Sequence, residues 1–223
     1  MSYILKFSNT STDLVASYFP PINLKKDSEI GLLSLSTYYS FANIDESNNE
    51  FNYDNGKVII FPTGAYEIHQ INDFLTQNLS ETDIWLEGNN VTLKAEIRCK
   101  FLIDFTEPKS VSVLLGFKKR TLQLNITHVS DDVVKILKIE TIKIICKLVS
   151  NSYNNNALSH TLYEFCPQAA PGFQIVEIPN KVIYLPLNTR NIDFANLKIC
   201  DQKGNLLDNR GESIHVRLHI RPI

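Results

Sequence analysis

The chain of 223 residues is 43% hydrophobic and 21% charged, with a mean hydropathy of -0.10, a composition of globular rather than disordered or fibrous proteins. A formal net charge of -2 supplies no overall positive field, so non-specific nucleic-acid binding and attachment to anionic lipid are disfavoured. The start, MSYILKFSNT, lacks a leader pattern, and no segment approaches about 18 uninterrupted apolar residues. Synthesis in the cytosol without a membrane span is therefore expected.

Tyr3 to Phe7 is the first strand candidate, and Pro20-Pro21 then breaks the pattern. Residues 1–22 are accordingly expected as an N-terminal arm packed on the body, and 23–223 as one jelly-roll domain. Glu29 to Tyr38 carries apolar groups on both faces, Ile30 and Leu32 opposed by Leu33 and Leu35, as a covered central strand does. Asn43 to Glu50 is a polar excursion bounded by Phe41 and Phe51, which points to a loop facing a neighbour. Asp54-Asn55-Gly56 is a turn before a strand at Lys57 to Phe61.

In EIHQINDFLTQNL the stripe Ile68, Ile71, Phe74 or Leu75 and Leu79 predicts one amphipathic helix, expected to close a side of the sandwich. Asp83 to Glu87 and Val91 to Lys100 form a predicted hairpin across Gly88-Asn89-Asn90. In its second arm Val91, Leu93, Ala95, Ile97 and Cys99 alternate with polar residues. The apolar load of Phe105, Leu114, Leu115 and Phe117 reads as a core plug in preference to an intersubunit seam, with a second short helix over Ser110 to Gly116.

Strands are further predicted at Leu122–Thr127, Val133–Val149 broken near Glu140, Thr161–Phe165, Phe173–Ile178, Val182–Leu187 and Asn196–Asp201. Asn-rich turns separate several of them, notably over 150–156. At the C-terminus Ile214, Val216, Leu218 and Ile220 point one way and His215, Arg217, His219 and Arg221 the other, a long antiparallel strand. Many short strands and one good helix give an all-β fold: a single jelly-roll sandwich of antiparallel strands with one or two short accessory helices.

No catalytic, cofactor or metal residues are assigned. His215 and His219 share a strand face but lie about 13 Å apart, too far to chelate one ion. His128 with Asp131-Asp132 reads as a polar turn, and no phosphate-binding or nucleophile motif occurs. The dispersed Cys99, Cys146, Cys166 and Cys200 read as buried free thiols. The row His215, Arg217, His219, Arg221 is the most organised polar feature, a contact surface or the solvated face of a sheet. With Phe41 and Phe51 it makes up the possible subunit or partner contacts.

The ordered blocks GLLSLSTYYSFANIDESNNEF, FPTGAYEIHQINDFL, LEGNNVTLKAEIRC, IDFTEPKSVSVLLGF, HTLYEF, PGFQIVEIPNKVIYLP and DQKGNLLDNRGESIHVRLHI resemble the penton-like minor capsid proteins of Polinton/Maverick elements and adintoviruses. The similarity runs from about Gly31 to the C-terminus and rests on block order rather than on one chemical motif. It implies a non-enzymatic single jelly roll that forms homopentamers at the fivefold vertices of an icosahedral shell, beside a double-jelly-roll major capsid protein, and resides in the virion. The alternative is a jelly-roll binding module, lectin-like or receptor-ligand-like. That reading calls for calcium-binding acids on a loop or an exposed aromatic platform, which Trp85, the only tryptophan, does not mark from its place in the alternating Asp83 to Glu87 stretch. A cupin-like enzyme would need several His and a carboxylate converging inside the barrel.

Overall fold

The computed structural model describes residues 1–80, 82–150, 152–154 and 156–223. The chain folds as two compact units: Met1–Phe41 with Ile139–Ile223, and Ala42–Lys138. The first unit opens with β1 (Tyr3–Asn9), β2 (Asp13–Asn23) and β3 (Ser28–Tyr38). The second holds β4 (Glu50–Tyr53), β5 (Lys57–Ile60), α1 (Ile68–Asn78), β6 (Ile84–Asn89), β7 (Lys94–Cys99), β8 (Ile103–Asp104), a 3-10 turn at Val111–Val113, β9 (Thr121–Leu122) and β10 (His128–Val129). The chain returns to the first unit as β11 (Ile142–Cys146), β12 (Ser152–Asn154), β13 (Ala157–Ser159), β14 (Thr161–Phe165), β15 (Gln174–Glu177), β16 (Leu185–Pro186), β17 (Asn191–Cys200) and β18 (Ile214–Pro222).

Strand pairing in the first unit is nested and antiparallel: β1 with β18, β2 with β17, β3 with β15, β11 with β14. This is jelly-roll pairing, in which a folded-over ribbon rolls into two sheets. One sheet runs β1-β18-β3-β15, with β16 also beside β3, and the other β14-β11-β17-β2. Alternate residues from both sheets, among them Leu14, Ile30, Ile144, Leu197, Val216 and Leu218, form the core between them.

Residues 1–22, expected as an arm, are β1 and most of β2, paired into the two sheets. Pro20-Pro21 does not end β2, because the strand lies at the sheet edge and its register with β17 shifts there. Ile192 pairs Ile22 and Phe194 pairs Ser17, so the prolines occupy a bulge where no ladder N–H is required. A bulge also explains the two-faced apolar pattern of β3. Arg217 of β18 pairs Ser34 and Leu218 pairs Leu32, so Leu33 is the extra residue and Leu35 returns to the same inward face as Ile30 and Leu32.

The second unit has its own core of Phe51, Phe61, Ile71, Leu75, Ile97, Phe105, Leu115 and other apolar residues. The helix expected to close the sandwich packs here, against β6. A reciprocal Glu67–Gln70 capping box begins it, and Ile71 and Leu75 are its buried positions. The second expected helix is the 3-10 turn, capped by the Ser110 side chain and stopped at Gly116, whose φ is +79°. Phe105, Leu114, Leu115 and Phe117 are all buried in this core, as a plug requires. The β6–β7 turn is wider than expected: Asn89 Oδ1 accepts the N–H groups of Val91 and Thr92, and Leu93 adopts φ +58°, leaving Val91 and Leu93 exposed outside the strand.

Three predicted strands are much shorter. Leu122–Thr127 contributes only the end of β9, of Val133–Val149 only β11 is strand, and Val182–Leu187 keeps only β16. The Asn-rich stretch over 150–156, expected as a turn, holds the short strand β12, which pairs with β13 just after it, and residues 151 and 155 lie outside the described residues. Among the described residues no helix is long and apolar enough to cross a membrane.

Candidate functional site

The strand β18 positions the polar row by simple alternation. Ile214, Val216, Leu218 and Ile220 are buried, which turns His215, Arg217, His219 and Arg221 to the outer side of the first sheet. The row divides into two halves. In one, His219 Nδ1 lies 2.8 Å from the Tyr184 hydroxyl, and the Arg221 guanidinium sits 3.6 Å from the Tyr184 ring centroid while Nε donates to Glu29 at 2.6 Å. Gly31 makes this arrangement possible: a Cβ there would fall 2.5 Å from Val182 Cγ1 and 2.8 Å from the Ile183 carbonyl oxygen, so the 182–184 segment lies directly over β3.

The other half is open. His215 Nδ1 lies 2.9 Å from Ser8 Oγ, while Arg217 is exposed and sits directly opposite Lys6 of β1. Across the ladder on β3 it faces Ser34, with Ser36 opposite His215. Neither Lys6 nor Arg217 has an acidic partner within ion-pair distance among the described residues. Like charges directly opposite across strands are destabilising, so this pair is a surface feature with an uncompensated cost.

Phe41 and Phe51 do not belong with this row. Phe41 is buried in the first unit's core, 5.2 Å from Tyr39 between ring centroids, and Phe51 is buried in the second, edge-on to Phe105 at 6.1 Å. Their apolar surface is consumed by the two cores and is not available to a neighbour. The loop they bound is held by its own residues. The buried Asn43 donates to the Tyr66 and Ile136 carbonyls and accepts from the Tyr66 N–H, and Asn48 Oδ1 accepts from the Asp45 N–H.

The remaining histidines each have a local partner: His69 near Glu67, His128 on the Gln123 carbonyl, His160 on the Val149 carbonyl. Among the described residues no three His, Cys, Asp or Glu side chains are grouped to hold a metal. Cys99, Cys146 and Cys200 are buried, and burial pushes the Cys146 thiol up to about 11. Cys166 is exposed, unlike the buried thiol expected.

Trp85 is the other departure. Ile84 and Leu86 on either side point into the core, so the strand in which no aromatic platform is evident from sequence turns the tryptophan outward, 41% exposed. The alternation of β6 already carried this signal. Phe19, fully exposed beside the β2 bulge, had none, since its orientation follows from the bulge.

The nested two-sheet pairing defines a jelly roll interrupted between its third and fourth strands by the second unit. Among solved structures this fold matches the selenomethionine-labelled mavirus penton protein. The match covers 100% of both chains at a TM-score of 0.53 and 12% sequence identity. No protein-family model and no curated protein sequence matches the chain.

Proposed function

We propose that the protein is a structural capsid subunit that assembles as a homopentamer at the fivefold vertices of an icosahedral shell and acts without catalysis or cofactor. The observation that carries this reading is the end-to-end match of the interrupted jelly roll to a viral penton. Its neighbours in the shell are further copies of itself and a double-jelly-roll major capsid protein. It is made in the host cytosol and resides in the virion.

A cyclic ring needs two different, mutually complementary surfaces on each subunit. The open half of the polar row, Lys6, His215 and Arg217, fits one of them, because a neighbour's acid would relieve the like-charge pair. On the second sheet the bulge of β2 against β17 exposes Phe19, Asp193 and Phe194, an apolar and acidic counterpart. Reversing both charges with Lys6→Glu and Arg217→Glu is expected to weaken ring formation at least tenfold. Undiminished assembly would return the row to a solvated sheet face.

The wider proposal is tested by co-expressing the tagged full chain with the double-jelly-roll protein of the same genome and locating the tag in assembled particles. Density confined to fivefold vertices is expected. A tag spread over the facets, or absent from particles, would overturn it.

A further inference from the structure

The exposed tryptophan stands beside a cleft that the capsid reading does not use. Trp85 of β6 and Arg98 of β7 are direct cross-strand partners on the outer side of their hairpin. With Thr82, Asp83, Lys100 and Asn125 they line a cleft of about 340 Å³, at the small end of ligand-site volumes. The cleft lies wholly within the second unit.

Its chemistry is unusual for an exposed sheet face. A large aromatic ring turned to solvent is informative where a scattered small apolar side chain is not. The Trp85 indole N–H, the Arg98 guanidinium and the Asn125 side-chain amide have no hydrogen-bond partner among the described residues. Asn125 is held at this position in a left-handed conformation, φ +58°, by its backbone N–H donating to the Cys99 carbonyl at 2.7 Å. Lys100 Nζ donates to Asp83 Oδ1 at 2.7 Å, and its backbone N–H to the Asp83 carbonyl at 2.8 Å, which fixes the opposite wall. That contact holds the Asp83 carboxyl below the usual range, so it stays an acceptor near neutral pH.

One aromatic face is therefore ringed by interleaved donors and acceptors. Charge narrows the ligand class. The positive Arg98 and Lys100 are offset by Asp83 and by Glu87 and Glu96, which face each other two pairs further along the same hairpin. A phosphate or nucleotide would need an excess of positive charge that this surface lacks. A neutral polyhydroxyl ring, whose hydroxyls each donate and accept and whose C–H face stacks on an aromatic, meets every group present.

We propose that the outer cleft of the β6–β7 hairpin binds a neutral pyranose, the terminal sugar of a glycan, stacked on Trp85 and hydrogen-bonded by Asp83, Arg98 and Asn125. This goes beyond the capsid role and gives the second unit an attachment function.

Because Trp85 is the only tryptophan, its emission reports this one site. The full chain is first screened on a printed array of neutral and sialylated glycans. It is then titrated with methyl β-galactoside, methyl α-mannoside and methyl β-glucoside while tryptophan emission is followed. A saturable emission change with one of the three is expected, along with array signal on glycans ending in that sugar. Trp85→Ala should lower the array signal at least tenfold, and Trp85→Phe should retain part of it. Trp85 points outward, so thermal unfolding of either variant should be unchanged. No glycan retained above the Trp85→Ala level, retention of sialylated glycans alone, or binding indifferent to Trp85→Ala would each overturn the assignment. The emission titration with soluble glycosides reads one site and is independent of ring formation.

Discussion

Phe105→Ala is the sharpest test of how the second unit is held together. Phe105 is fully buried, with Phe51 edge-on at 6.1 Å and Phe117 at 5.3 Å between ring centroids. Truncation removes a whole ring from a close-packed site, and Phe→Ala changes of this kind cost about 3–5 kcal/mol. Two ring pairs are lost together, each contributing roughly 0.5–1.5 kcal/mol beyond buried area, which places the expectation in the upper half of that range. With a urea dependence of about 2 kcal/mol/M, the unfolding midpoint should fall by about 2 M. Trp85 lies on β6 of the same unit, so its emission during urea unfolding reads this core, while far-UV circular dichroism follows the whole chain. Phe105→Leu keeps most of the volume but loses both ring pairs, so it should cost less than Phe105→Ala while remaining destabilising. A Phe105→Ala loss below about 1 kcal/mol would refute the close-packed aromatic core.

Three further outcomes are expected. Gly116→Ala would place a Cβ 2.3 Å from the Asp132 carbonyl oxygen at φ +79°, so a loss of at least about 2 kcal/mol is expected in the same urea assay. The hydrogen bond from Lys138, then that from Ser47, holds the Asp45 carboxyl down to about 2 from 3.8. The resulting stability is complete above about pH 4 and is lost as pH falls towards 2. The pair is part-exposed, so screening limits it to below about 1 kcal/mol, and Asp45→Asn should be less stable than the parent near neutral pH, the difference shrinking as pH falls through 2. Thiol titration of the native protein should label Cys166 alone, with Cys99, Cys146 and Cys200 reacting only after unfolding.

The elements legible from sequence are those whose alternation is uninterrupted. β18 is read correctly because one face is wholly apolar, β7 only from Lys94 onward because the turn takes up Val91 and Leu93, and α1 because its apolar stripe is uninterrupted. Bulges hide the rest. β2 looks broken at Pro20-Pro21 because sequence does not show that the strand is an edge, and β3 looks two-faced because one extra residue, Leu33, shifts the period. The outward row on β18 was legible for the same reason as the strand. Which half of it is occupied was not, since Tyr184 and Glu29 reach it from distant positions. Phe41 and Phe51 were misread because aromatics at loop ends serve equally as core anchors, and only the fold shows two cores waiting for them.

The central claim is that this jelly roll closes into a fivefold ring. Electron micrographs of the purified full chain at micromolar concentration test it most directly. Class averages with fivefold symmetry and a particle mass about five times 25.4 kDa are predicted. Threefold rings, or a 25.4 kDa monomer alone, would contradict it.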